Sequence, residues 1–527
     1  MSTTITPSAT RPPPPRLSRR FAAALGVLAV GAALGVGHLV AAIVSPASSP
    51  YVAVGNTVIR LAPPWLVEFA KTAFGTSDKA VLLAGVAVVL VLVAVAAGLA
   101  SARRPRPGVV VVVVLGLLGV AAVLFSPAFA PLDLLAPAAA LGAGVTVTRR
   151  LHAVALDAAA PPRRPARGEI SRRMMLVRSS AAVGVGALAT AGIGQLLGGD
   201  AGGSRAAVTS RLATATLAER APAIPASAAF PDLGTPTFLT SNAEFYRIDT
   251  ALRIPNLTAA GWSLRIHGMV DDEIRLTFDD LMARPLLERT ITMLCVSNEV
   301  GGDLISTTNF IGVDLRSILL EAGVHPDADQ VLSTSSDSWT AGTPTDVLME
   351  KRRGALLAVG MNGEALPPEH GFPVRMVVPG LYGYVSATKW VTDLEVTTFG
   401  ARSAYWVGRG WSSQGPIKTE CRIDTPRAYA SPKAGPLPIA GIAWSQPDGI
   451  SKVEVQVDGG AWQTAELSTE VSGDTWRMWR VVVDLPAGRH SIRARASGTD
   501  GATQTESAAD PVPDGATGWP GIIVTVS

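Results

Sequence analysis

Two short segments of this 527-residue chain hold the residue types that could do metal and anion chemistry. The first, Thr292-Met293-Leu294-Cys295-Val296-Ser297-Asn298-Glu299-Val300-Gly301-Gly302, contains the first of only two cysteines. The second, His370-Gly371-Phe372-Pro373-Val374-Arg375-Met376-Val377-Val378-Pro379-Gly380, is closed downstream by Lys389-Trp390. A deprotonated cysteine is a soft donor suited to a transition metal. A His, an Arg and a Lys near one another suit an anion, the Arg as a planar fork and the Lys as a point charge. The bland alternatives are an inert buried thiol and solvated surface charges. The apolar residues around Arg375 and Lys389 argue against an unpaired surface role. Cys421 has no comparable company and reads as a structural thiol.

Composition limits where such a site could live. A chain of this length exceeds what one hydrophobic core serves, so several units are expected. Apolar residues make up 48% and aromatics only 6%, and the apolar residues, mainly Ala, Val, Leu and Gly, concentrate before residue 200. The net charge of +3, without a basic stripe interleaved by aromatics, gives no footprint for nucleic acid. Two cysteines exclude a disulfide framework and any Cys/His zinc pattern.

Five apolar stretches read as transmembrane helices: 21–45, 80–100, 108–125, 132–147 and 176–197. Most approach the ~20 residues that span the hydrocarbon core; the fourth is weakest, because it carries Asp133 and Pro137. Basic groups flank them: Arg16, Arg19 and Arg20; then Arg103, Arg104 and Arg106; then a cluster from Arg149 to Arg178. All three fall on one side only if every segment crosses, which puts the N-terminus in the cytoplasm and everything after about residue 200 outside. Ser171-Arg172-Arg173-Met174-Met175-Leu176, ahead of a Gly/Ala-rich stretch, resembles an internal twin-arginine export signal. Positive-inside anchoring explains the two arginines equally well. His38 and His152, in or beside the spans, read as solvated or structural histidines.

Beyond a 1–199 anchor, residues 200–236 are rich in Ala, Ser, Thr, Gly and Pro and read as a flexible tether. Residues 237–422 mix short β-branched runs with short helices at 277–284 and 315–322, an α+β organisation. There is no Gly-rich dinucleotide or phosphate loop. From 423 to 527 short alternating strands take over. Ser451–Asp458 alternates cleanly into an Asp-Gly turn, and an immunoglobulin-like β-sandwich fits. The expected architecture is therefore multi-domain: N-terminal transmembrane α-helices, an α+β domain and a C-terminal sandwich.

The Cys295 segment, the His370–Gly380 segment and Thr307-Thr308-Asn309-Phe310-Ile311-Gly312-Val313-Asp314-Leu315 together resemble the sulfite oxidase family of molybdenum enzymes. The resemblance covers residues 237 to 527. It implies a molybdenum–molybdopterin cofactor, with Cys295 as the protein's metal ligand and Asn298 beside it. It implies that His370, Arg375 and Lys389 hold the pterin and its phosphate, with Ser386 and Thr388 in a turn one residue longer than in the eukaryotic enzymes. Asn242, Phe245 and Tyr246 match cofactor contacts, and Arg247 matches the arginine that faces an anionic substrate. Asp337 matches an acid bonded to the pterin, although a turn-capping aspartate explains it almost equally well. The resemblance also implies a C-terminal domain of the kind that forms a dimer contact.

Departures from the family gather on the substrate side. Its Arg-Asn-His reads Arg247-Ile248-Asp249 here. Its pair of arginines after the cysteine is Glu299-Val300, and its active-site tyrosine falls on Trp411, while Arg409 keeps a basic residue. These changes weaken sulfite as the substrate. No Cys-x-x-Cys-His motif is present, so no haem is expected and electrons would pass to another protein or a membrane carrier. The expectation is a multi-pass membrane protein whose extracytoplasmic domain performs oxygen-atom transfer on a small substrate. The rivals are an oxide reductase with the same cofactor and a non-catalytic membrane-tethered binding protein.

Overall fold

The computed structural model describes residues 17–45, 48–63, 78–126, 131–159, 201–251 and 254–527, with a few isolated positions between them. The chain divides into two units, one of residues 1–199 with 251–253 and one of residues 200–250 with 254–527. In the first, the described helices are Arg19–Val44, Pro50–Leu61, Asp78–Ala100, Arg106–Leu124 and Leu135–Ala159. Among the described residues, four segments are long and apolar enough to cross a membrane: Arg19–Val44, Lys79–Ala100, Arg106–Leu124 and Pro131–Leu156. The fourth is longer than the sequence suggested, because Pro131–Leu134 forms a 3₁₀ turn and Pro137 sits in the helix's first turn, where its missing N–H costs nothing. Small residues set the packing. A Cβ at Gly26 would lie 2.0 Å from the Ala94 carbonyl oxygen, and one at Gly98 would lie 2.1 Å from that of Ala22, so only glycine permits this approach. His152 is buried and bonds the Ser101 carbonyl at 2.7 Å. The fifth expected span, 176–197, and the arginine pair Arg172-Arg173 lie outside the described residues.

The second unit opens with a correction. The stretch 200–236 is no tether: Ala201–Thr214 is a helix, and Leu217–Glu219 is a strand paired in parallel with Leu286–Leu294. The helix buries Val208 and Leu212, four residues apart and hence on one face. Arg205 donates to Glu364 and to the carbonyls of Ala365 and Leu366. A composition of Ala, Gly and Ser gives no local sign of partners some 160 residues away.

Two sheets build the α+β body. One runs in the order Leu217–Glu219, Leu286–Leu294, Ile305–Asp314, Leu356–Met361, Arg375–Val377; the other runs Ile274–Thr277, Ser263–Gly268, Val391–Thr397, Gln330–Ser335, Thr340–Pro344. The expected helices are present as Phe278–Met282, started by a capping box on Thr277 and Asp280, and Leu315–Ala322. From Glu420 onward, two four-stranded antiparallel sheets share a core that includes Ile439, Val453, Trp479 and Ile492. The first strand, Glu420–Thr425, crosses the expected 422/423 boundary, because its Cys421 and Ile423 pack into that core. Trp444, Trp476 and Met478 of this region instead belong to the main core of the α+β body.

Candidate active site

Cys295 follows the strand Leu286–Leu294 directly and is 8% exposed. Its N–H donates to the Leu304 carbonyl at 3.0 Å, and its own carbonyl accepts from Asn298 N at 3.0 Å. The Asn298 Oδ1 closes the turn by accepting from Leu304 N at 2.8 Å. The strand is clamped one turn earlier. Thr292 Oγ1 meets Thr307 Oγ1 at 2.5 Å and accepts from Trp476 N at 2.7 Å, while the Thr292 carbonyl accepts from Gln446 at 2.9 Å. The sulfur's position is thus fixed partly by residues almost 200 positions downstream.

The second segment converges on a glycine. His370 ends the 3₁₀ turn Pro368–His370, and Gly371 follows at φ 110°. A Cβ there would lie 3.0 Å from Arg375 Cβ and 3.1 Å from Lys389 Cα, so glycine lets His370, Arg375 and Lys389 close on one another. Arg375, 2% exposed, donates to the His370 carbonyl at 3.2 Å and lies 5.6 Å from the Phe310 ring centre. It forms no ion pair among the described residues. Burial lowers its pKa to about 10. His370 Nε2 meets the Asn242 carbonyl at 3.1 Å, and its ring packs edge-on against Phe245. Burial, then the Arg375 and Lys389 charges, push its pKa down to about 3, so the imidazole is neutral. Lys389 Nζ donates to the Glu369 carbonyl at 2.8 Å and to Asp249 Oδ2 at 3.3 Å; burial lowers its pKa to about 8.

The other expected residues fall into two groups. Phe245 stacks on Tyr246, whose N–H bonds Ser306 Oγ at 3.2 Å. The Tyr246 phenol is buried beside Cys295 and Arg375, and burial followed by the Cys295 charge raises its pKa. Asn242 is braced by Asn362, which also bonds the Thr240 carbonyl and Thr308. The hydroxyls of Ser386 and Thr388 point to neighbours, Ser386 to the carbonyls of Leu381 and Tyr382 and Thr388 to Ser333. Asp337 caps its own turn, accepting from Trp339 N at 3.2 Å; burial raises its pKa, against the bonds from Ser335 and the Trp339 N–H. In the second group, Trp411 packs on Tyr384 and Trp406, and Arg409 stacks 3.8 Å over Tyr405 while donating to its carbonyl. Arg247 pairs with Asp249 at 3.0 Å. Sequence reasoning missed Asp249 and Asn362 as site residues. Asn362 carried a signal in its Asn-Gly turn; Asp249 carried only the departure Arg-Ile-Asp.

Three buried side-chain atoms at this site have no hydrogen-bond partner: Asn298 Nδ2, His370 Nδ1 and Arg375 Nε. Buried polar groups are normally satisfied, so these atoms and an uncompensated Arg375 fit an oxygen-rich anionic ligand. The described residues contain no cluster of three or more His, Cys, Asp or Glu side chains able to hold a metal. A metal at Cys295 would take its other donors from a non-protein ligand.

The model of the oxidoreductase molybdopterin binding domain matches residues 251–406, a range that includes Cys295, His370, Arg375 and Lys389. The chain carries a molybdopterin domain of the sulfite oxidase family. Mitochondrial sulfite oxidase of Macaca fascicularis is 30% identical over 316 residues, covering 51% of this chain and 57% of its own length. The uncharacterized oxidoreductase YuiH of Bacillus subtilis is 34% identical over 154 residues, covering 29% of this chain and 74% of its own. The crystal structure of the sulfane dehydrogenase SoxCD from Paracoccus pantotrophus aligns with a TM-score of 0.46 and 25% identity, over 51% of this chain and 75% of that one. The chain thus spans little more than half of the sulfite oxidase it matches. Within the molybdopterin domain, Cys295 and the His370–Lys389 cradle lie in the matched range, whereas Arg247 precedes it and Arg409 and Trp411 follow it.

Proposed function

We propose that this chain is a membrane-anchored molybdenum oxidoreductase whose molybdopterin domain lies outside the cytoplasm and performs oxygen-atom transfer on a small substrate. The observation that carries this is Cys295 at the end of its strand and a desolvated cation, Arg375, with unfilled hydrogen-bonding capacity, both close to the buried Tyr246 phenol. When bound, a molybdenum–dithiolene centre supplies exchange of one oxygen atom and two electrons. For a substrate X the balance is X + H2O → XO + 2H+ + 2e−, the electrons leaving singly to a one-electron carrier. Cys295 would ligate the metal as thiolate. Arg375, Lys389 and the neutral His370 would hold the pterin and its phosphate, and Asn298 would orient the cysteine loop.

Support for the location comes from four apolar helices and from arginines grouped between them; the twin-arginine motif at Arg172-Arg173 belongs to the same proposal. The C-terminal sheets are proposed as an immunoglobulin-like sandwich that serves as the contact of a homodimer. The deciding test is molybdenum and pterin analysis of the purified full chain in detergent. About one molybdenum and one pterin per chain is expected; their absence after expression in a molybdopterin-competent host refutes the reading. Reporter fusions at Pro105 and Ala206 should give opposite compartments, and two cytoplasmic signals would sink the topology.

A further inference from the structure

The loop that carries Cys295 runs from the end of its strand to Leu304 and closes on itself. Besides the bonds that Cys295 and Asn298 make with Leu304, Gly302 N donates to the Glu299 carbonyl at 2.8 Å. Gly301 takes φ 78°, and a Cβ at Gly302 would lie 2.6 Å from Asn298 Oδ1 and 2.9 Å from the Glu299 carbonyl oxygen. Two adjacent glycines permit this close return, but they also give it more backbone freedom than any other residue type would. The return is fixed from outside the loop, by a residue of the C-terminal sheets.

Arg422 lies on the strand Glu420–Thr425, 120 positions downstream of Gly302. Its Nη1 donates to the Gly302 carbonyl at 3.0 Å, and its Nε donates to Asp424 Oδ1 at 2.7 Å. The two side chains are each 13% exposed, so a charged donor acts here with little water to screen it. The backbone beneath is fixed as well: Arg422 pairs with Ile442, and no Cβ would fit at Gly441 against the Arg422 carbonyl. Asp424 and the strand thus aim the guanidinium at Gly302. On the other side of the sulfur, Thr292 N donates to the Asp474 carbonyl at 2.9 Å. The C-terminal region therefore grips the Cys295 segment both before and after its cysteine.

Resting on the oxidoreductase reading above, we infer that Arg422 is a positioning residue for the metal ligand. Through the Gly302 carbonyl it sets the Cys295 loop, which makes the C-terminal sheets a working part of the redox centre, beyond the homodimer contact proposed for them. The path from guanidinium to cysteine is short. Gly302 is in close contact with Asn298 Oδ1, that oxygen holds Leu304 N, and the Leu304 carbonyl receives the Cys295 N–H. Outer partners that orient a metal ligand commonly change metal affinity or activity by about 10–100-fold, so a loop released at Gly302 should be felt at the sulfur.

The test uses Arg422→Gln in the full chain. The glutamine amide nitrogen falls where Nε sits, so a donor to Asp424 is kept while the reach to Gly302 is lost. In the cofactor-free full chain, alkylation by iodoacetamide is followed at each cysteine by peptide mass spectrometry. Losing a charge-assisted hydrogen bond shifts the loop's opening by about ten-fold or more, so Cys295 should label faster by that factor while Cys421 labels at the parental rate. In the holoenzyme, the electron paramagnetic resonance signal of the half-reduced metal should shift, with molybdenum and pterin content near parental. Parental labelling of Cys295 together with a parental signal overturns the inference, as does equal acceleration at both cysteines, which a general loss of structure would produce. If Arg422→Gln does not fold, Arg422→Leu with Asp424→Asn removes the pair without leaving a buried charge and is read in the same way. A parent protein that carries no molybdopterin overturns the oxidoreductase reading, and the labelling rates still decide whether Arg422 holds the loop.

Discussion

The two sides of this site treat their cations differently. On the cradle side, Arg375 is 2% exposed, meets carbonyls rather than a carboxylate, and keeps its Nε without a partner. On the solvent side, Arg247 is neutralised by Asp249, and Arg409 lies on the Tyr405 ring with a bond to its carbonyl. Burying a charge without a counter-ion is expensive, so an anion that completes the first arrangement stabilises it. The second is complete without a ligand. The cofactor is therefore written into this fold more strongly than the substrate, which agrees with where the sequence keeps and where it leaves the family pattern.

The sharpest way to break this contrast is Cys295→Ser. The hydroxyl is a hard donor of much higher pKa, so charge donation to the metal is lost. Replacing even an outer partner of a metal ligand costs roughly 10–100-fold, so loss of the ligand itself should cost more. Nearly all turnover should disappear and the metal's absorption spectrum should change, while bound pterin, held by the cradle, stays. A variant with parental spectrum and activity would remove the metal-ligand assignment.

Arg375→Ala should do the reverse. A charge-assisted hydrogen bond contributes about 1.5–3 kcal/mol, equivalent to roughly 10- to 150-fold in cofactor affinity. Pterin content should fall, whereas the molecules that remain loaded keep their spectrum. Full pterin occupancy in this variant would show that the cradle does not depend on its buried cation.

How much of this was legible in the sequence follows from range. Strands whose two-residue alternation is local, such as Ile450–Val457 with its Asp458-Gly459 turn, could be read directly. The closeness of His370, Arg375 and Lys389 is also local, because the turn at Gly371 sets it, whereas the roles expected of them and of Cys295 came from the family resemblance. The helix Ala201–Thr214 could not be read, since the contacts that order it lie about 160 residues away and its own composition imitates a linker. Asp249 was visible as a residue but not as a counter-ion, because the pairing with Lys389 spans 140 positions. The boundary at 422/423 erred because Cys421 and Ile423 pack forward into the C-terminal core.

A pH profile tests the cradle more gently. In the cofactor-free protein burial holds Lys389 at about 8, against the pull of Asp249, with Arg375 and Arg247 adding repulsion. Its unfolded value is about 10.4. Between these values the unfolded chain binds more protons, so cofactor-free stability attributable to this group rises with pH from about 8 to about 10. A phosphate beside Lys389 favours the ammonium and raises its pKa, so binding takes up a proton in that window. Cofactor affinity should therefore decline above pH 8, by at most about ten-fold per pH unit, as followed by release of pterin fluorescence. His370, held near 3, does not titrate there. Lys389→Met should flatten the profile; a flat profile in the parent would place the phosphate elsewhere.

The smallest functional effect is expected at Thr292, which separates positioning from chemistry. Its hydroxyl ties the strand before Cys295 both to Thr307 and to the Trp476 backbone N–H. Thr292→Val keeps the shape of the side chain but leaves that N–H buried without an acceptor, at a cost of about 1–3 kcal/mol. For a body of this size a Tm drop of about 2–4 °C per kcal/mol follows. At a working temperature well below Tm, molybdenum and pterin content should stay near parental, because none of the cradle residues is touched. Turnover should fall only as far as the Cys295 loop loosens. A large loss of cofactor in folded Thr292→Val would mean that the C-terminal region takes part in holding the cofactor itself, and the division between the two sides of the site would have to be redrawn.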